Sequence, residues 1–134
     1  MVYPKTRAVL FIRVNRRYAN NHVLAGRAIE QQRLLDEQVA KKLQATIVRV
    51  YIDQSGAALL GNRPELEAML RSLRSHPVSY VIAESWDVLS SSSKLSTIIL
   101  TRITDAGAEL VVGDGLLSRP DEDEQYFDER VEEM

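Results

Sequence analysis

No cysteine occurs among the 134 residues, which removes disulfides, thiolate metal sites, iron–sulfur clusters and thiol nucleophiles together. This favours a protein of the reducing cytoplasm. Histidine is scarce: His22 and His76 lie far apart without ligand spacing and carry no role in metal binding or catalysis. Long hydrophobic runs are missing too. The opening MVYPKTRAVLFIRVNRR holds an apolar stretch of about six residues before Arg13, too short for a signal-peptide core. It is also far below the roughly 20 residues of a membrane-spanning helix, so no membrane role is expected. There is no internal repeat, and the length leaves room for one domain whose single core the 45% hydrophobic content can fill.

Charge is divided unevenly along the chain. Residues 120–134 carry eight acidic side chains (Asp121, Glu122, Asp123, Glu124, Asp128, Glu129, Glu132 and Glu133) against Arg130 alone, and the rest is net basic by five charges. A mildly basic body is compatible with a polyanionic partner such as DNA without requiring one.

Short apolar runs rich in β-branched residues alternate with longer amphipathic stretches, the pattern of βαβ units around a mainly parallel sheet. Four strands are predicted at Ala8–Arg13, Thr46–Ile52, Val78–Ala83 and Ala108–Gly113. A long helix spans about His22 to Gln44, with Leu24, Ala28, Leu35, Val39 and Leu43 on its apolar face. A second opens at Arg63-Pro64-Glu65, carries Leu66, Met69, Leu70 and Leu73 at helical spacing, and stops at His76-Pro77. A third is capped within Ser90–Ser93, runs through Leu95, Ile98, Ile99 and Ile103, and ends near Gly107. Gly113-Asp114-Gly115 reads as a turn and Trp86 as packing. The fold class is therefore α/β in three layers, about four mainly parallel strands with flanking helices. Residues 1–117 form the domain and 118–134 an acidic tail, either disordered or docked on a partner surface through Tyr126, Phe127 and Val131.

Open parallel sheets carry their chemistry outside the carboxyl ends of the strands. There the sequence reads Ile12-Arg13-Val14-Asn15 after the first strand. The second gives Tyr51-Ile52-Asp53-Gln54-Ser55-Gly56 and then Asn62-Arg63-Pro64, and the third Glu84-Ser85-Trp86-Asp87-Val88-Leu89-Ser90. Over roughly residues 7–115 this resembles the catalytic domain of the serine recombinases, the resolvase/invertase family. The resemblance rests on three separated motifs in the right order.

The resemblance implies a resolvase-like fold and assigns residues. Arg13 matches an arginine that helps bind the scissile phosphate, Gln31 the glutamine of the first helix, Arg63 the arginine before the second helix, and Asp87 the aspartate of the third motif. Three positions depart from it: Asn15 stands where the attacking serine is, Val88 at the first motif arginine and Ser91 at the second. An amide does not replace a hydroxyl as nucleophile at phosphorus, and arginines aimed at the transferring oxygens are worth factors on the order of 10³ to 10⁵ in rate. Ser85, Ser90 and Ser91 have no base marked beside them to take over the attack.

The implied function is thus a catalytically inactive, recombination-related domain that binds, regulates or oligomerises, with itself or with an active recombinase. The competing expectation is an enzyme processing DNA phosphodiesters through Arg13, Arg63 and Asp87. Arg13, Arg16, Arg17 and Arg63 make a candidate phosphate or DNA contact. Asp53 and Asp87 at strand ends suggest a magnesium pair, but the resemblance implies no metal and no cofactor. Beyond Gly115 no recognition helix, zinc spacing or basic arm follows.

Overall fold

The computed structural model describes residues 6–14, 21–54, 63–90 and 92–113, except for the side chain of Asp87. Its elements run β1 (Arg7–Arg13), α1 (His22–Lys42), β2 (Thr46–Asp53), α2 (Pro64–Ser75), β3 (Tyr80–Ala83), α3 (Trp86–Leu89), α4 (Ser93–Asp105) and β4 (Glu109–Val112). The strands form one parallel sheet in the order β2-β1-β3-β4. From β1 the chain steps one way to β2, and then the other way to β3 and β4. Crossovers of one hand therefore place α1 on one face and α2 and α4 on the opposite face.

Each face has its own core. Val9 and Phe11 of β1, Tyr51 of β2 and Val81 and Ala83 of β3 pack with Leu66, Met69, Leu70 and Leu73 of α2 and Ile99 and Ile103 of α4. On the other face Ala8, Leu10, Ile82 and Val111 meet Val39 and Ala40 of α1. Burying such a side chain stabilises the fold by roughly 1.5–3 kcal/mol, so the period-two alternation along β1 fixes which face meets which helix.

Local signals explain the helix ends. Asn21 caps α1 by accepting from the Leu24 amide at 3.1 Å, and Gln44 at φ 55° ends the turn that follows. Pro64 opens α2 with Glu65 and Glu67 in its first turn. Ser92 caps α4 through the Leu95 amide at 3.3 Å, and Gly107, at φ 86°, takes the left-handed conformation after it.

Several expectations are corrected. The predicted face of α1 is rotated, because its buried residues are Gln32, Asp36, Val39 and Ala40, while Leu24 is exposed. The first ten residues of α1 bury no side chain, so apolar periodicity there has no sheet beneath it. Trp86 is 41% exposed rather than packed. The segment before the third predicted helix contains a further short helix, α3. Residues 114–134, including the expected acidic tail, lie outside the described residues. Among the described residues no helix is long and apolar enough to cross a membrane.

Candidate functional site

The carboxyl ends of β1 and β2 are held in register, Arg13 opposite Asp53, and the Val14 amide donates to the Asp53 carbonyl at 2.9 Å. Both side chains face α2. Asp53 is 1% exposed and receives Nε of Arg63 at 2.6 Å, with Nε of Arg13 3.8 Å from the same carboxylate oxygen. Arg63, at the N-terminal boundary of α2, is completely buried. Its remaining nitrogens donate to the carbonyls of Leu89 and, at 3.1 Å, Val88, and its guanidinium lies 5.7 Å from the centre of the Phe11 ring. One side chain thus ties β2 and β1 to the end of α3.

Burial pushes the Arg63 pKa down and the hydrogen bond to Asp53 opposes it, while the neighbouring Arg13 charge adds to the depression. An arginine remains cationic through such shifts, and the buried guanidinium is satisfied by one carboxylate and two carbonyls. Arg63 presents no surface to a ligand, which corrects its expected role as a direct phosphate contact. Its fork is turned inward on β2 and α3. Arg13 does reach solvent, with 19% of its side chain exposed.

Gln32 of α1 clamps the other side of β1. Its Oε1 accepts from the Arg13 amide at 3.2 Å and its Nε2 donates to the Arg13 carbonyl at 2.8 Å. Gln31, the glutamine selected from the sequence, is exposed. The helical period carried the signal, because Gln32 lies seven residues before Val39 on the buried face. Val88 is 8% exposed and belongs to the core facing α2 and α4. Asp87 lies on α3, with its side chain outside the described set. Asn15, Arg16, Arg17 and Ser91 fall outside the described residues, so the proposed cluster of Arg13 with Arg16 and Arg17 is not described.

A carboxyl that the motifs did not point to lies on the other face of the sheet. Asp36 of α1 is fully buried, and neither of its oxygens has a hydrogen-bond partner. Its pKa is pushed up to about 8, first by burial and then by the charge of Glu84 just beyond β3. Gly113 sits over it: a Cβ there would lie 3.6 Å from Asp36 Oδ1 and 3.2 Å from a Val39 methyl. Among the described residues no group of three or more histidines or carboxylates is arranged to hold a metal ion.

The structure is an open parallel α/β sheet with Arg13, Asp53 and Arg63 clustered at the carboxyl ends of its strands, the edge at which such sheets place their sites. Residues 9–131 match the family model described as the N-terminal domain of resolvases, and the chain belongs to that family. Among curated proteins none matches it in sequence. Solved structures share the fold at low identity. The N-terminal catalytic domain of TP901-1 integrase is 14% identical, with 81% of this chain and 79% of that one covered at a TM-score of 0.68. A resolvase family site-specific recombinase from Streptococcus pneumoniae is 19% identical, covering 82% and 73% at 0.67. The C-terminal catalytic domain of ISC1926 TnpA, an IS607-like serine recombinase, is 20% identical, covering 79% and 69% at 0.65. The chain is a serine-recombinase-like domain related to site-specific recombination.

Proposed function

We propose that this domain does not perform the serine chemistry of its family and acts in the cytoplasm as a binding, regulatory or oligomerisation module, pairing with itself or with an active recombinase. The observation that carries this reading is the placement of Val88. Where the resemblance calls for a phosphate-binding arginine, a valine side chain is packed in the core and offers no donor. Asn15 supports the same reading, since its amide has no hydroxyl with which to form a phosphoseryl link. The buried Arg63–Asp53 pair acts as a structural clamp and keeps the carboxyl edge in shape without chemistry there. Arg13 is the described arginine through which this edge meets an anion such as a DNA phosphate.

The test combines light scattering of the purified chain, alone and with an active recombinase, with a DNA cleavage assay on supercoiled plasmid. A defined self-complex or mixed complex without covalent protein–DNA product is the expected result. A covalent product lost in Arg13→Ala or Asp87→Asn overturns the proposal and establishes the phosphodiester-processing alternative.

A further inference from the structure

At the amino ends of the strands, opposite the candidate site, the edge of the sheet is irregular. Ile47 pairs with Ala8 and Arg49 with Val9, so Val48 is an extra residue, 49% exposed. The bulge sends Arg49 to the α2 side, where its guanidinium lies 4.8 Å from the centre of the Tyr51 ring. Between this bulge and the end of α2 opens a pocket of about 240 Å³. Its cationic lining comes from Arg7 and Arg49, with the His76 ring beside them, and its apolar lining from Val9, Tyr51 and Leu73. Arg7, Arg49 and His76 are all exposed. Among the described residues no carboxylate lines this pocket.

We propose that this pocket is the docking site of the chain's own acidic segment, residues 121–133. Two complementarities support it. The segment carries all eight of the acidic groups that offset the net basic body, matching the cationic rim. Its centre, Glu124-Gln125-Tyr126-Phe127-Asp128, sets two aromatic rings between carboxylates, the chemistry of an apolar pocket with a positive margin. The reach is sufficient. Gly113 and Tyr126 are 13 residues apart, about 43 Å when extended, whereas three inter-strand spacings span about 14 Å and seven strand residues about 23 Å. Docking there neutralises the basic pole of the domain and withholds it from other polyanions.

The absence of cysteine makes the test clean. In the full chain, Ser72→Cys in the pocket lining is combined with Gln125→Cys, and oxidation is followed on non-reducing gels at low protein concentration. The control pair is Lys41→Cys, on exposed α1, with Gln125→Cys. Docking predicts that the pocket pair closes within one chain at least about tenfold faster than the control, and that Arg49→Glu or raised salt removes the advantage. Circular dichroism verifies that each variant is folded. Equal rates for the two pairs, disulfides only between chains, or a pocket rate indifferent to Arg49→Glu and salt each overturn the proposal. So does a result in which Arg49→Glu abolishes binding of duplex DNA while leaving the disulfide rate unchanged, which assigns the pocket to nucleic acid.

Discussion

Arg63 and Asp53 form a buried ion pair, 2.6 Å from Nε to Oδ2, with neither side chain more than 1% exposed. Removing one partner takes from the other its closest counter-charge in the interior, and breaking such a buried pair costs about 3–5 kcal/mol. Arg63→Ala is therefore expected to lower the denaturant midpoint severely or prevent folding. Arg63→Lys rescues only part of the loss, since a point ammonium does not reproduce a fork that reaches Asp53 and the carbonyls of Val88 and Leu89 together. Urea unfolding of the two variants beside the parent measures it. A full rescue by lysine contradicts the clamp.

Asp36 makes stability depend on pH with a definite sign. Its carboxyl has an ordinary value of 3.8 and rises to about 8 in the fold, so between those values the folded state holds a proton that the unfolded chain has released. Stability from this group therefore falls as pH rises from about 4 to about 8, and changes no further above that. Glu84 faces it from the end of β3, and burial remains the larger cause. Asp36→Leu removes the cost of burying an unpartnered carboxyl. It is expected to raise stability at pH 8 by a few kcal/mol, on the order of an unsatisfied polar group, and to flatten the profile. Thermal unfolding of both proteins at pH 5 and pH 8 decides it, and a parent that is more stable at pH 8 refutes the assignment.

The two glutamines of α1 separate a structural position from its neighbour. Gln32 makes two hydrogen bonds to the Arg13 backbone, so Gln32→Ala removes both at once from the α1 side of the strand end and is expected to cost about 1–3 kcal/mol. Gln31→Ala, on the exposed face, is expected to stay within about 0.5 kcal/mol of the parent. Chemical denaturation distinguishes them. Equal losses for both variants remove Gln32 from the clamp.

That pair also marks where the sequence stopped being informative. The alternation of strands and helices, the stripe Leu66, Met69, Leu70, Leu73 and the Pro64 start all appear in the structure because local propensity and burial agree there. Periodicity points to the wrong face of α1 because the apolar residues spread around the helix, while its buried row includes Gln32 and Asp36. Polar residues carry no hydrophobic signal, and their burial is decided by what lies across the sheet. Arg63 was legible as a motif residue, but its inward turn was not, since only packing shows that Leu89 and Val88 present carbonyls to it. The end of β1 is legible in the sequence because an arginine closing an apolar strand is rare as pure structure.

On the proposed reading, a serine placed at position 15 is by itself not expected to yield a recombinase. Asn15→Ser returns a hydroxyl, but a hydroxyl attacks phosphorus only when the transferring oxygens are held and their charge is met. Val88 is packed in the core and supplies no donor, and Ser91 is no substitute for a guanidinium. With each missing arginine worth on the order of 10³ to 10⁵ in rate, the single reversion should give no covalent protein–DNA product above background. The combination Asn15→Ser, Val88→Arg and Ser91→Arg is the variant in which product is expected, provided its fold survives an arginine at the buried position 88. Incubating both proteins with supercoiled plasmid, trapping with detergent and scoring protein-linked DNA measures the difference. Product from Asn15→Ser alone shows that residues such as Arg13 already meet the charge, and that only the nucleophile separates this domain from an active recombinase.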